Sequence, residues 1–282
     1  MKYEARVIPE GINSSLENPL KEAAILVSGA LAVIALLIVL IWYLTDYAIG
    51  YISPAMERSW FRQETFEQLS VFSEHKDLAE YDEVEVQLML LLDRLKTEDY
   101  GDFEFSISVF RDTDPNAFIL PGGHIFVSSA LFDSVESENG LAMVLAHEMA
   151  HQYKRHPLRS TGRGLAMVMA LALVFGNDEG EWIQELFLQG FSLGQLAFSR
   201  EQEREADSLA LKTLVDYYGH AAGSAEFFER INVKSSGQAV IPVFYQSHPG
   251  IEERIAFLNR PGLDNQGTKT KLHPAIRQVQ VE

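Results

Sequence analysis

The stretch VLAHEMAHQYKRH, residues 144–156, places two histidines four positions apart and a glutamate directly after the first. Residues four apart project from the same face of an α-helix, so His147 and His151 can direct two imidazoles at one cation. Glu148 would flank that cation, where a carboxylate can act as the general base for a zinc-activated water. A structural, metal-free pair of histidines on a buried helix is the alternative, so the motif needs support from elsewhere in the chain.

A catalytic zinc ion takes three protein ligands and keeps one position open, so a third ligand must be found. His156 lies five positions beyond His151 and is rotated away from the face that carries both histidines, which makes it a poor ligand. A metzincin would have Gly and His at the positions of Lys154 and Pro157, so that class of zinc peptidase is excluded. The third ligand is therefore expected to be a carboxylate from another helix.

The stretch SREQEREADSLAL, residues 199–211, offers such a carboxylate. Glu203 and Asp207 are four apart and share one helix face. One of them can bind zinc while the other accepts the Nδ1–H of a ligating histidine and fixes its tautomer. A solvated helix face, on which Arg200 and Arg204 pair with the acids, is the alternative. The apolar continuation of this helix favours burial of at least one side.

Composition and charge exclude several other classes of function. The chain has 282 residues, 47% of them hydrophobic, with no cysteine and a formal net charge of -17. This length accommodates one catalytic domain with an appendage. Without cysteine there is no disulfide, thiolate nucleophile or Cys-ligated zinc. An acidic chain lacks the clustered Lys and Arg that bind phosphates, so we expect no nucleic-acid partner.

The segment AAILVSGALAVIALLIVLIWYL, residues 23–44, contains no charged residue. At about 1.5 Å per residue it can cross the hydrocarbon core of a bilayer, and it predicts a transmembrane anchor at residues 22–50. A buried globular helix and a cleaved signal peptide are the alternatives, but the run is longer than a signal-peptide core. Lys2, Arg6 and Lys21 precede the span and favour a cytoplasmic N-terminus, with the rest of the chain outside.

Hydrophobic periodicity after the anchor predicts mostly helices and one small sheet. Residues 103–110, FEFSISVF, alternate as a strand does, and residues 117–129, AFILPGGHIFVSS, are typical of a strand pair or a bent strand broken at Pro121. From Ser137 to about His156 the pattern is helical, with Pro157 as the stop signal. The chain then divides into a polar leader at 1–21, the anchor at 22–50, a catalytic domain at 51–262 and a flexible tail at 263–282.

Residues 164–176, GLAMVMALALVFG, are apolar on all sides but too short for a straightforward span. They predict a core helix or a helix that touches the membrane surface.

Three ordered motifs, AHEMAH, SREQEREAD and SHPGIEERI, resemble those of the membrane-associated gluzincin peptidases. This group includes the heat-shock protease HtpX, the CAAX prenyl endopeptidases, and mitochondrial and periplasmic quality-control peptidases. The resemblance covers about residues 110–260. It implies an α+β fold, a mostly α-helical zincin-like metallopeptidase domain with a small β-sheet, here with one N-terminal transmembrane helix.

The leader IPEGINSSLENPLKE resembles a bacterial subgroup with a single N-terminal anchor. It implies a single-pass protein of the bacterial inner membrane with its catalytic domain on the periplasmic side. The prenyl proteases have several spans where this chain has one clear span. A role on misfolded or membrane-adjacent proteins is therefore favoured over CAAX processing.

The same resemblance implies a role for each residue of the three motifs. One Zn²⁺ per chain would be bound by His147, His151 and Glu203. Glu148 would be the catalytic base, and Asp207 the carboxylate behind a ligating histidine.

The SHPG motif carries a residue whose role the sequence leaves open. His248 would donate a hydrogen bond to the developing oxyanion, or it would occupy the open zinc position and keep the enzyme latent. A plain turn residue before Pro249 is the alternative. Arg254 would assist the site or only pair with an acid such as Glu252 or Glu253.

The segment NAFILPGGHIFVSSAL resembles the edge strand that precedes the active-site helix in this family. An extended protein or peptide substrate would bind there as an added strand. Gly122 and Gly123 would permit close backbone approach, and His124 and Ile125 would continue the substrate-binding strand.

These patterns predict a membrane-anchored zinc metalloendopeptidase that acts in protein quality control. The alternative is a chaperone or adaptor module that is scaffolded by zinc and whose peptidase site is silent.

Overall fold

A computed structural model of the chain describes residues 19–62, 81–164, 198–235 and 243–279. Over these residues the fold is mostly helical with one small sheet, so the predicted α+β architecture is confirmed. Nearly all of the apolar segment predicted at 164–176 lies outside the described residues.

The described helices and strands are numbered here in chain order. The helices are α1 (Pro19–Ile49), α2 (Pro54–Trp60), α3 (Asp82–Leu95), α4 (Ser129–Phe132), α5 (Glu138–Tyr153), α6 (Arg200–Tyr218), α7 (Glu226–Ser235), α8 (Val243–Ser247), α9 (Ile251–Leu258) and α10 (Pro274–Gln278). The strands are β1 (Ser106–Phe110), β2 (Ala117–Leu120) and β3 (His124–Ser128).

Helix α1 contains the predicted span and is long and apolar enough to cross a membrane. Its large apolar side chains point away from the domain, and Leu31 is 61% exposed. Such a continuous apolar surface requires an apolar partner, which a bilayer supplies. Arg163 pairs with Asp46 near the end of α1 and lies over the ring of Trp42, so that end of the helix is attached to the domain.

The three strands form one mixed sheet in the order β1-β3-β2. Ile125 of the central strand lies opposite Ile107 of parallel β1 and opposite Ile119 of antiparallel β2. The turn between β2 and β3 has positive φ at Gly122 and Gly123, +90° and +85°, which favours glycine. The predicted strand pair is thus a hairpin with β2 as an outer strand.

Helix α5 runs through the core, with residues 139–152 all buried. It packs against α6 and against β2. Ala146 and Ala150 of α5 and Ala206 and Ala210 of α6 are fully buried. Small side chains allow helix backbones to approach closely, so this pair of helices can bring polar side chains from both into contact.

The N-terminus of α5 begins where the sequence predicts, at the cap residue Ser137, whose hydroxyl accepts the amide of Gly140 at 3.1 Å. The carboxylate of Glu226 accepts the backbone amides of Glu136 and Ser137 at 2.6 and 2.9 Å and pairs with Lys269 at 2.8 Å. A Cβ on Gly140 would lie 2.5 Å from the Glu226 carboxylate. The cap and this carboxylate therefore fix the position at which α5 begins.

The C-terminus of α5 comes earlier than predicted. The helix ends at Tyr153, and Arg155 adopts a left-handed conformation with φ +61°. Residues 156–164 are helical again, with Pro157 in the first turn of that helix. Proline is tolerated there because the first amides of a helix have no intrahelical acceptor. The chain is therefore broken before Pro157 rather than at it.

Residues 263–279, the described part of the predicted tail, contact the rest of the domain. Lys271 forms a β-bridge with Ser137, and Glu138 donates its amide to Thr270 at 2.9 Å. Leu272 and Ile276 are buried, and α10 packs against α3. A few well-placed apolar side chains and backbone bonds order a segment whose overall apolar content is low.

We predict that Glu226→Gln lowers the free energy of unfolding by about 2 kcal/mol at pH 7, because a charged acceptor of several hydrogen bonds becomes neutral. Burial alone would raise the pKa of Glu226, but Lys269 and the donors of Glu136 and Ser137 lower it overall. A lowered carboxyl pKa stabilises the fold above the usual value of 4.5, and this contribution is lost as the pH falls through the folded-state pKa. Unfolding measured between pH 7 and pH 3 should therefore show the difference from wild type shrinking on acidification.

The matched control is Glu253→Gln, since Glu253 pairs with Arg200 at the surface, with both side chains exposed. This change should alter stability by less than about 1 kcal/mol at any pH. Equal losses of unfolding free energy in the two variants would contradict a specific stabilising contribution of the Glu226 contact at the start of α5.

Candidate metal centre

Two imidazoles from successive turns of α5 converge on one point in the core. The Nε2 atoms of His147 and His151 are 2.9 Å apart, and both side chains are buried. The ring of His151 also stacks on Phe198 at a centroid distance of 3.9 Å. The geometry follows from the four-residue spacing on a helix.

Helix α6 brings a carboxylate to the same point. Glu203 places Oε2 3.4 Å from His147 Nε2 and Oε1 3.4 Å from His151 Nε2. A capping box, in which the side chains of Ser199 and Gln202 bond each other's backbone amides, begins the helix just before Glu203. The start of α6 is therefore fixed close to the carboxylate.

His248, which follows α8, is the fourth member of the cluster. Its Nδ1 lies 3.3 Å from His147 Nε2 and 3.2 and 3.3 Å from the two carboxylate oxygens of Glu203. The ring stacks on Phe244 at 4.5 Å and is fully buried. The structure thus places His248 among the candidate ligand atoms, and its position is not that of an exposed turn residue.

The spacing of these four groups approaches that of a zinc site, although the Nε2 atoms of His147 and His151 lie closer together than two zinc ligands would. Ligand bonds of about 2.0–2.2 Å at tetrahedral angles separate neighbouring donor atoms by about 3.3–3.6 Å. One donor atom from each of His147, His151, Glu203 and His248 lies within 4.8 Å of all the others. Imidazole nitrogens and a carboxylate are also ligand types that zinc prefers.

Asp207 lies behind the cluster rather than in it. Its Oδ1 is 2.9 Å from Nδ1 of His147, the ring nitrogen that points away from the donor atoms. A hydrogen bond there places the His147 proton on Nδ1 and leaves Nε2 as an acceptor. Of the two carboxylates that the sequence offers on α6, Glu203 therefore faces the donors and Asp207 contacts the far side of His147.

Arg254 of α9 joins the two carboxylates. Its Nε and Nη2 donate to Asp207 at 2.8 Å each, and its Nη1 is 2.8 Å from Glu203 Oε2. It is 3% exposed and takes these partners instead of its neighbours Glu252 and Glu253. The bidentate geometry suits a guanidinium and fixes the distance between the two acids.

Glu203 and Asp207 remain ionised in this environment. Burial alone would raise the pKa of each, but His248 and Arg254 hold the pKa of Glu203 well below its usual value. Arg254 and His147 lower the pKa of Asp207 to about 2. An ionised Glu203 is the form that a metal ion requires.

His156 supports the second imidazole, a contact that the sequence did not reveal. Its Nδ1 is 2.9 Å from Nδ1 of His151, and its Nε2 is 3.2 Å from Glu205. Burial lowers the pKa of His156 to about 4, so the ring is neutral at pH 7. His156 is absent from the cluster of four donors, and because the helix breaks at Arg155 its ring turns back to the far side of His151.

Glu148 is buried beside the donor cluster with 0% exposure. Among the described residues neither of its carboxylate oxygens has a hydrogen-bond partner, and Nε2 of His248 is 3.7 Å from Oε1. Burial, with a contribution from Glu203, raises the pKa of Glu148 to about 8, although His147 and the backbone of Ile119 act in the opposite direction. A dication in the cluster would favour the ionised form.

The four residues expected to bind substrate are placed differently from the prediction. His124 and Ile125 lie on the central strand, which has a partner on both sides and cannot accept a further strand. The amide of Gly122 is bonded to Glu57, and a Cβ on Gly122 or Gly123 would meet backbone oxygens of this chain. Their close backbone contacts are internal, and the strand beside α5 is β2.

Comparison with known proteins supports the chemistry that this geometry suggests. The sequence profile described as Peptidase family M48 matches residues 82–261, which include all three motifs. The mitochondrial metalloendopeptidase OMA1 of Schizosaccharomyces pombe is 33% identical over 157 residues, 55% of this chain and 46% of that protein.

Two bacterial proteins are similar over the same region. The putative beta-barrel assembly-enhancing protease of Vibrio cholerae is 32% identical over 160 residues, 54% of this chain and 33% of that protein. The beta-barrel assembly-enhancing protease of Escherichia coli is 26% identical over 164 residues, again 54% and 33%. The chain spans between a third and a half of the length of these relatives.

We predict that Asp207→Asn weakens zinc binding by about 10–100-fold, because an amide holds the Nδ1–H of His147 less strongly and no longer balances Arg254. Competition with a chelator of known affinity measures the change. Asp216→Asn on the same helix is the control, since Asp216 pairs with Lys212 at the surface. Wild-type zinc affinity in Asp207→Asn would contradict an orienting role for this carboxylate.

Proposed function

The chain belongs to peptidase family M48, and we propose that it is a zinc metalloendopeptidase held at a membrane by its N-terminal helix. The observation that carries this proposal is the buried convergence of His147, His151 and Glu203, with Glu148 beside them. Each of the two imidazoles has a partner at its other nitrogen, which is how protein ligands of zinc are held in orientation.

The formal charges of the centre support a divalent cation. The ionised carboxylates of Glu203 and Asp207 face the single positive charge of Arg254, and Glu148 adds a third buried carboxyl group that a dication would help to ionise. An uncompensated buried charge costs several kcal/mol, and a dication would neutralise the excess. We propose one Zn²⁺ per chain, with His147, His151 and Glu203 as its protein ligands.

Zinc bound there would polarise the scissile carbonyl and activate the attacking water. We assign Glu148 the part of general base, because its buried carboxylate lies beside the donor cluster, has no side-chain hydrogen-bond partner among the described residues and can accept the proton of that water. The same group can then deliver the proton to the leaving amine. Burial keeps bulk water away and strengthens each of these electrostatic interactions.

We propose that an extended segment of a protein substrate binds along β2. This outer strand packs against α5, and the backbone of Ile119 lies close enough to Glu148 to influence its pKa. A segment added to β2 would thus pass over the catalytic carboxylate. The proposed substrate-binding segment is therefore β2, residues 117–120, in place of the turn and β3 that the sequence predicted.

The cellular location of the reaction is also a proposal. Helix α1 supports attachment to a membrane, and the positive residues before it favour a cytoplasmic N-terminus with the catalytic domain on the periplasmic side of a bacterial inner membrane. Of the three relatives compared above, two are named as beta-barrel assembly-enhancing proteases and one as a mitochondrial metalloendopeptidase. A role in protein quality control fits a single-span peptidase that acts on extended segments.

A second candidate function is supported by one contact. Nδ1 of His248 lies among the donor atoms, where it would complete a four-ligand zinc site and leave no open position. A site closed in this way is structural or latent, and the domain would then serve as a zinc-scaffolded chaperone or adaptor. In the peptidase, His248 would instead swing away and donate to the oxyanion.

We predict that Glu148→Gln retains one zinc ion per chain and loses about 10²–10⁴-fold in kcat, because the amide keeps the shape of the side chain but accepts no proton. Metal analysis and cleavage of an unfolded protein such as casein measure the two properties. Glu201→Gln, an exposed change in the first turn of α6, is the control and should behave as wild type. Undiminished proteolysis by purified Glu148→Gln would remove this residue from the mechanism.

The two candidate functions differ in their response to His248→Ala. A latent peptidase should become faster when the occluding imidazole is removed, whereas loss of an oxyanion donor should lower kcat by about 10²–10³-fold. If wild type and His248→Ala both hold zinc and neither cleaves unfolded protein, the adaptor is favoured.

A further inference from the structure

Helix α2, the short helix that follows the anchor, buries a carboxylate completely. Glu57 is 0% exposed although it lies only eight residues after the end of α1. Its Oε1 accepts the amide of Gly122 and the side-chain Nε2 of Gln152, both at 2.9 Å. Its Oε2 pairs with the guanidinium of Arg155. A buried acid with this many partners holds together the segments of the chain to which those partners belong.

The partners belong to the two elements that form the proposed cleft. Gly122 is two residues beyond Leu120, the last residue of β2. Gln152 directly follows His151, a proposed zinc ligand on α5. One carboxylate oxygen therefore connects the end of the proposed substrate strand with the turn of α5 that carries the second imidazole.

Arg155 adopts an uncommon backbone conformation to reach this contact. Its φ of +61° is rare for a residue with a side chain, and such a conformation persists only where the surroundings hold it. The guanidinium also donates to the carbonyl of Ile52 at 2.6 Å and lies 4.8 Å over the ring of Phe103. These contacts join the exit of α5 to the chain between α1 and α2.

Further bonds fix α2 to the same turn. Arg58 donates to the carbonyl of Gly122 at 3.0 Å, so both backbone groups of that glycine are bonded to α2. Nε2 of His124 is 2.7 Å from the carbonyl of Phe61, just beyond the helix. The β2–β3 turn is therefore held at Gly122 by α2, and Glu57 of this helix also reaches α5.

We infer that Glu57 is a positioning residue for the proposed peptidase reaction, which holds the end of β2 in register with the His151 turn of α5. The inference rests on the proposed function. The hydrogen bonds and ion pairs of Glu57 among the described residues include neither a candidate ligand nor Glu148, so it would act through the relative placement of strand and helix. A displacement of about 1 Å between a bound substrate and a catalytic group can lower the rate about 100-fold. Because α2 follows the anchor directly, the same contact joins the membrane-attached segment to the cleft.

The test compares Glu57→Gln with Glu104→Gln in the full-length, zinc-loaded protein in detergent. Glu57→Gln keeps an oxygen acceptor but loses the charge that holds Arg155. Glu104 pairs with Arg58 of the same helix but its side chain is 71% exposed, so it is a matched control. For each variant we measure zinc content, thermal unfolding, and kcat and KM on an extended fluorogenic peptide. We also measure the amide hydrogen exchange of residues 117–124 and 150–156.

For Glu57→Gln we expect wild-type zinc content and a loss in kcat of about 10-fold or more at temperatures where the variant is fully folded. Exchange should rise in both segments together, while Glu104→Gln behaves as wild type. A residue that only stabilised the fold would lower the unfolding temperature and leave kcat of the folded protein unchanged. That result, or wild-type exchange in the two segments, overturns the inference.

A second variant covers the case in which Glu57→Gln does not fold. Gln152→Met removes one donor to Glu57 and keeps both the carboxylate and Arg155, and it should raise exchange at residues 117–124 although the substitution lies on α5. If exchange there stays at the wild-type level, the inference fails. If the wild type cleaves nothing, the proposed function fails separately, because the exchange measurements need no activity.

Discussion

The close crossing of α5 and α6 in the core is the contact on which the rest of the structure depends. Both helices bury alanines, and at their contact the imidazoles of His147 and His151 meet the carboxylate of Glu203. The dry environment that makes such donors effective also makes each of them costly to bury without a partner.

Electrostatic balance explains why other elements gather around this crossing. Arg254 of α9 faces two acids of α6, and a guanidinium can bond both where the point charge of a lysine cannot. Well-packed apolar residues would stabilise the core at least as well as this buried ionic group does. Its presence is therefore better explained by chemistry at the site than by folding, and Glu148, buried without a hydrogen-bond partner among the described residues, fits the same explanation.

Helix α5 is held at both ends by carboxylates that are distant in sequence. At its start Glu226 of α7 binds the backbone next to the cap, and at its end Glu57 of α2 binds Gln152 and Arg155. Neither contact involves the residues that would carry out the reaction. Each joins an end of α5 to an element outside the α5–α6 pair, and the second reaches the segment that follows α1.

What the sequence by itself determined about this protein is local and periodic. The HExxH spacing, the four-residue interval between Glu203 and Asp207, the cap at Ser137 and the apolar run of α1 all depend on neighbours within a few turns of helix, so each could be predicted from the chain alone. Only the tertiary structure decided that β2 is an outer strand and that Arg254 pairs with Asp207 and Glu203. It also decided that His156 turns back to His151 after the break at Arg155. Those contacts join residues from different elements or follow a backbone break, and no periodicity in a single sequence records how separate elements approach one another.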